Sequence, residues 1–206
     1  MTIIGMVNFS VNCRGLKEFY CDSGNFGVKG MNAVLDHCPF LENLIVEHLN
    51  RLVLKDSAIR PGVAAYSLKT ICIKYLINGY QFRPLILSSK NLGTLKIVYC
   101  SGDWDKVFEA MTPTNLFEIH LETLPRISDI ALIAISKNCL NLEILHLLEN
   151  ANYMDLGLVY IANHCNLLRE VHHIVRWNIS DEIGDEGVTT IAERCPNLEE
   201  LILIGI

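Results

Sequence analysis

Ser128-Asp129-Ile130-Ala131-Leu132-Ile133-Ala134-Ile135-Ser136-Lys137-Asn138-Cys139-Leu140-Asn141-Leu142-Glu143-Ile144-Leu145-His146-Leu147 decides how the chain folds. Its close, L-x-x-L-x-L, ends in period-2 alternation, which puts Leu145 and Leu147 on one face of a short strand. Its opening, after Ser128-Asp129, carries the apolar stripe of an amphipathic helix, with Ser128 and Asp129 placed to cap the first amides. A strand–helix unit this small cannot bury its own apolar face. Copies stacked side by side can.

Copies are present. Aligning on Cys13, Cys38, Cys139, Cys165 and Cys195 places a small residue eight positions upstream of each: Gly5, Gly30, Ala131, Gly157 and Gly187. Three positions downstream stands leucine every time, at 16, 41, 142, 168 and 198. Inward pairs follow at Phe19/Cys21, Leu44/Val46, Leu145/Leu147, Val171/His173 and Leu201/Leu203. Asp129, Asp155 and Asp185 stand two before the small residue, so the unit reads (I/Y)-x-D-x-G-(L/V)-x-x-I-A-x-x-C-x-x-L-x-x-L-x-L. Ser128 with Asp129, or Asp155, is the expected N-cap. Three further strands, Leu68-Ile71-Ile73, Leu92-Leu95-Ile97 and Leu116-Ile119-Leu121, lack the cysteine. The first leucines are then spaced by 25, 27, 24, 24, 26, 26 and 30 residues. This is the period of leucine-rich repeats, apart from the last step, where an insertion runs around Ile174 to Ile183.

The expected fold class is α/β: a leucine-rich-repeat solenoid of the cysteine-containing type, with a parallel sheet on the concave face and helices on the convex face. It takes in residues 1–206 as one solenoid of about seven to eight repeats. Both ends read as incomplete. Gly5-Met6-x-x-Phe9 is the helix half of a repeat, and Leu201-Ile202-Leu203-Ile204 is a strand with no helix after it, so the chain is expected to be a segment of a longer product.

Composition narrows the function. The chain has 206 residues, 50% hydrophobic, with 17 Lys+Arg against 23 Asp+Glu and a net charge of −6. That balance argues against nucleic acid and anionic membrane as main partners. No apolar run reaches the length of a membrane span, and the N-terminus lacks a basic secretory n-region. None of the eight cysteines forms C-x-x-C, so neither a structural zinc site nor a disulfide framework is expected. The five repeat thiols are expected to pack between units. Cys100-Ser101-Gly102-Asp103-Trp104 is not read as a nucleophile, because the repeat accounts for its position. Gly24-x-x-Gly27-x-x-Gly30 lacks the Lys-Ser/Thr of a phosphate loop.

Between the last two inward positions, three consecutive repeats carry His120, His146 and His172. Glu118, Glu122 and Glu170 share their face, while Lys74 and Lys96 lie further along the sheet. These six His and Glu residues are the candidate partner-binding surface. A solvated polar stripe is the plain alternative. Metal binding is not expected, since three parallel imidazoles would point the same way rather than converge. No catalytic set and no cofactor site emerges. The acidic insertion around Trp177, Asp181, Glu182, Asp185 and Glu186 would be either a contact loop or a tolerated insertion. His173 stands where an aliphatic belongs, so the stretch from His172 to Trp177 is expected to be prone to slip in register.

The consensus resembles the cysteine-containing repeats of F-box proteins, and more narrowly the plant F-box/leucine-rich-repeat group that includes the VIER F-box proteins. The resemblance rests on Asn25-Phe26-Gly27-Val28-Lys29-Gly30 with Ala33-Val34-Leu35-Asp36-His37-Cys38, on Pro61-Gly62-Val63-Ala64-Ala65 and on Cys100-Ser101-Gly102-Asp103-Trp104-Asp105. Glu118-Ile119-His120-Leu121-Glu122 and Ile183-Gly184-Asp185-Glu186-Gly187 with Leu201-Ile202-Leu203-Ile204-Gly205 extend it across essentially the whole chain. It implies a non-enzymatic protein of the cytoplasm or nucleus. In that family an F-box docks on the Skp adaptor of a cullin-RING (SCF) ubiquitin ligase, and the repeats present a protein substrate. Here the F-box would lie outside the chain, and the substrate grip is what the repeats would keep. A ligand-sensing receptor, or a scaffold without a ligase role, is the alternative. A sensor of hormone or polyphosphate would call for clustered Arg and Lys on the concave face, where only Lys74 and Lys96 stand.

Overall fold

The computed structural model describes residues 2–50, 52, 58–150, 155–175 and 184–205. It is an α/β leucine-rich-repeat fold in two compact units, residues 1–102 and 103–206. The first unit holds α1 (Ile3–Asn12), β1 (Glu18–Asp22), α2 (Gly27–His37), β2 (Asn43–Glu47), β3 (Thr70–Lys74), α3 (Arg83–Ser88) and β4 (Thr94–Val98). The second holds α4 (Trp104–Glu109), β5 (Glu118–Glu122), α5 (Asp129–Asn138), β6 (Ile144–Leu148), α6 (Asp155–His164), β7 (Glu170–Ile174), α7 (Asp185–Arg194) and β8 (Glu200–Ile204). Within each unit the strands pair in parallel in chain order.

The expected inward pairs fall at the second and fourth residues of every strand. Ile119, Leu145, Val171 and Leu201 form one row, and Leu121, Leu147, His173 and Leu203 the next. In β2, β5, β6 and β7 these residues are buried, while the first, third and fifth are only partly covered. The slip expected after His172 does not occur: His173 sits between Leu147 and Leu203 and is 4% exposed. A one-residue slip would turn Val171 outward and break the row on both sides, and that holds the register. Arg176, Trp177, Asp181 and Glu182, with most of the 174–183 insertion, lie outside the described residues.

Helices stack behind the strands, α1 on α2 and α4 through α7 in succession. The repeat cysteines end them: Cys13, Cys38, Cys139 and Cys195 are the C-cap residues of α1, α2, α5 and α7. All eight thiols are free, and six are buried. Cys38 points its thiol at the Cys13 carbonyl and Cys165 at the Cys139 carbonyl, both at 3.7 Å, so a sulfur ladder ties neighbouring repeats. Burial pushes Cys139 up to about 11 and Cys165 to about 12, which keeps these thiols protonated and inert.

The aspartates work differently from the expected N-caps. Ser128 does cap α5, accepting from the Ile130 amide at 3.2 Å. Asp129 and Asp155 instead begin their helices and reach into the next repeat. Asp129 Oδ1 accepts from the Gly157 amide at 2.7 Å, and Asp155 Oδ1 from the Gly184 amide at 2.8 Å. Asp105 likewise accepts from the Ser128 amide and hydroxyl, both at 2.8 Å. Gly157 and Gly187 make room for the preceding repeat's carboxylate: a Cβ on Gly157 would stand 2.6 Å from Asp129 Oδ1 and 2.9 Å from Leu132 Cβ, and one on Gly187 2.7 Å from Asp155 Oδ1. Gly157→Ala is therefore expected to destabilise the chain by about 1–3 kcal/mol in urea titration. A double-mutant cycle with Asp129→Ala should give a coupling clearly different from zero.

The Pro61–Ala65 motif also has a physical reading. Gly62 adopts φ +57°, and a Cβ there would run into the Leu35 carbonyl, so glycine is what lets the chain enter the short 3-10 turn Val63–Tyr66. Among the described residues, no helix is long and apolar enough to cross a membrane.

Candidate functional site

On β5 to β8 the outward residues make three rows across the strands. The first row is Glu118, Ile144, Glu170 and Glu200; the middle row is His120, His146, His172 and Ile202; the third is Glu122, Leu148, Ile174 and Ile204. The expected alignment of three histidines at one register is therefore present. Glu118 stands on the same face, opposite Ile144.

The histidines are not a loose solvated stripe. Their side chains are only 15–18% exposed and join the glutamates in one chain of contacts. His120 Nε2 lies 3.1 Å from Glu122 Oε2, and His120 Nδ1 lies 3.3 Å from His146 Nδ1. His146 Nε2 lies 2.7 Å from Glu170 Oε1, which also stands 3.2 Å from His172 Nε2. His172 Nε2 then lies 3.0 Å from Glu200 Oε1. The His146 and His172 rings stack at 4.0 Å and 4°, while His120 meets His146 edge-on at 5.4 Å and 66°. Parallel strands hold neighbouring side chains at about the stacking distance, which lets His146 and His172 stack. The idea of three parallel imidazoles holds for that pair alone, and Glu170 adds the convergence that the histidines lack by themselves. Burial, with the neighbouring imidazoles, lowers the His146 pKa against the opposing pull of Glu170.

Glu200 was not among the expected residues. Its signal is visible in hindsight, because it occupies the same repeat position as Glu170.

A second feature escaped sequence reading. Two residues beyond the last inward position, Ser23, His48, Tyr75, Tyr99, Thr123 and Glu149 all take positive φ, between 48° and 59°. In the first unit this turn stacks His48 on Tyr75 at 4.7 Å and Tyr75 on Tyr99 at 5.3 Å. His48 Nδ1 also meets Asp22 Oδ1 at 2.9 Å. Lys74 on the adjoining face is paired with Glu47 at 2.9 Å. The side chains rise from the turn rather than from the strand, so period-2 counting passes over them.

Cys100 is fully buried, and its thiol is pushed up to about 12 by that burial, which leaves no nucleophile at this position. No family model matches the chain.

Proposed function

We propose that this chain is a protein-interaction module. On the sequence resemblance, we read it as the substrate-recognition repeats of an F-box subunit of a cullin-RING (SCF) ubiquitin ligase, working in protein ubiquitination in the cytoplasm or nucleus. The observation that supports a binding role is the sheet face of β5 to β8. It sets Glu118, Glu122, Glu170 and Glu200 beside partly covered Ile144, Leu148, Ile174 and Ile202, and no lysine or arginine stands in these strands. Acids alternating with aliphatics on a rigid sheet suit a protein segment that carries lysine or arginine next to apolar side chains. The Skp adaptor would be met through an F-box outside this chain.

The test uses the full-length product. Glu122→Lys with Glu170→Lys is expected to weaken substrate capture at least about tenfold, chiefly through slower association, and to leave adaptor capture unchanged. Unchanged substrate capture would remove this face from the reading. A full-length product that fails to capture the Skp adaptor would favour a repeat scaffold instead.

A further inference from the structure

We propose that His146, Glu170 and His172 form a binding site for a divalent transition-metal ion of the zinc class. His146 and His172 face each other in register across β6 and β7, and Glu170, two residues before His172, points from the same face. One ligand atom from each lies within 4.8 Å of the other two. Two imidazole nitrogens and a carboxylate oxygen are a donor set that zinc accepts, with a fourth position left for water.

The distances fit. Ligand atoms around a tetrahedral ion with bonds of about 2.0 Å stand roughly 3.3 Å apart. His172 Nε2 and Glu170 Oε1 are already at 3.2 Å, whereas the 2.7 Å between His146 and Glu170 must widen slightly. The stacked rings point their Nε2 atoms the same way, so one ring must turn to aim at the ion. Rotation about the Cβ–Cγ bond of histidine is soft enough for that.

The contacts along this cluster are one proton short. Three contacts run in series: Glu122 to His120, His120 to His146, and His146 to Glu170. Each needs one proton between its two heavy atoms, but two neutral imidazoles supply only two. In any neutral assignment one contact therefore joins two acceptors. An ion at the His146–Glu170 end removes that conflict, while the half-exposed Glu200, 3.0 Å from His172 Nε2, must turn away to solvent because a metal-bound nitrogen no longer donates to it. His146 then offers its Nε2 lone pair to the metal and donates from Nδ1 to His120, and His120 donates from Nε2 to Glu122. This is the imidazole–carboxylate outer support that orients a metal-bound histidine. A third proton would complete the same set, and the experiment separates the two.

Asp22, Glu47 and His48 form another cluster of the right size, but with one imidazole and with His48 and Asp22 about half exposed. It serves as the control.

The purified chain is titrated with zinc alone against a chromogenic chelator at neutral pH, without any partner protein. One ion per chain is expected, together with a rise in the thermal transition. Cobalt in place of zinc should show a d–d spectrum without a thiolate charge-transfer band, which tells imidazole ligation from capture by the cysteines. His146→Gln and His172→Gln should each weaken binding at least about 100-fold and Glu122→Gln about tenfold, while Asp22→Asn leaves it unchanged. Circular dichroism of each variant checks that the repeats stay folded. No uptake by the wild-type chain, a thiolate band, or uptake undiminished in His146→Gln and His172→Gln would overturn the proposal. The first of these would assign the cluster to the shared proton.

Discussion

Asn150→Leu is expected to lower the unfolding free energy by roughly 2–5 kcal/mol, as measured by urea titration at neutral pH. Asn150 is 2% exposed. Its Oδ1 accepts from the Leu124 amide at 2.7 Å, and its Nδ2 donates to the Leu121 carbonyl at 2.8 Å. Both backbone groups belong to the preceding repeat, at residues that are themselves buried. Leucine has the same number and branching of heavy atoms, so the substitution keeps the side-chain shape, puts two bulkier methyl groups in place of the amide oxygen and nitrogen, and strips two buried polar groups of their partner. Each such group costs about 1–3 kcal/mol. The first unit shows a softer version of the same device. Cys100 stands at the equivalent repeat position, with Sγ 3.5 Å from the Ile73 carbonyl and the Leu76 amide also directed at it. Asn150→Cys should therefore fall between wild type and Asn150→Leu. An unchanged slope in urea with a shifted midpoint would show that the loss is in stability rather than in the compactness of the unfolded chain. A cost below about 1 kcal/mol for Asn150→Leu would mean that backbone pairing between repeats does not depend on this side chain.

Asn150 also marks where sequence reading reached its limit. Period-2 alternation fixed all eight strands, because burial of one face leaves a strand only one acceptable register. It carried even His173 into the inward row against its chemistry. The cysteine offset foretold the ends of α1, α2, α5 and α7 for a similar reason: a small apolar residue has to fit where helix meets strand. What the repeat could not convey was any contact made between units. Asp129 looks like a cap for its own helix, and only the stacked neighbour reveals that Gly157 receives it. The row His120, His146 and His172 was readable, but its linkage through Glu170 and Glu200 depends on side-chain reach across strands. The His48, Tyr75 and Tyr99 stack rises from residues in a left-handed turn, a conformation that no periodicity reports.

Acidification should expose the one inward position that breaks the rule. Burial lowers the His173 pKa to about 4, so the folded chain holds this imidazole neutral. In the unfolded chain it titrates near its ordinary value of about 6.5. Between these values the unfolded state binds a proton that the folded state refuses, and stability falls as pH drops. The contribution is fully present above about pH 6.5 and is lost progressively down to about pH 4, reaching roughly 3 kcal/mol. His146, also lowered chiefly by burial, adds in the same direction. Asp22, Glu42, Asp103 and Glu199 are lowered by their His, Lys or Arg partners, and lose that stabilisation only as the pH passes through the carboxylate range. The His173→Leu variant isolates the first term, because every other group is common to both proteins. Leucine completes the row of Leu121, Leu147 and Leu203, so the variant should be at least as stable as wild type at pH 7. The gap between the two should then widen by about 3 kcal/mol as pH falls to about 4, read as diverging urea midpoints. A gap that stays constant across that range would mean that His173 accepts its proton without leaving the core, and that the inward row tolerates a charge.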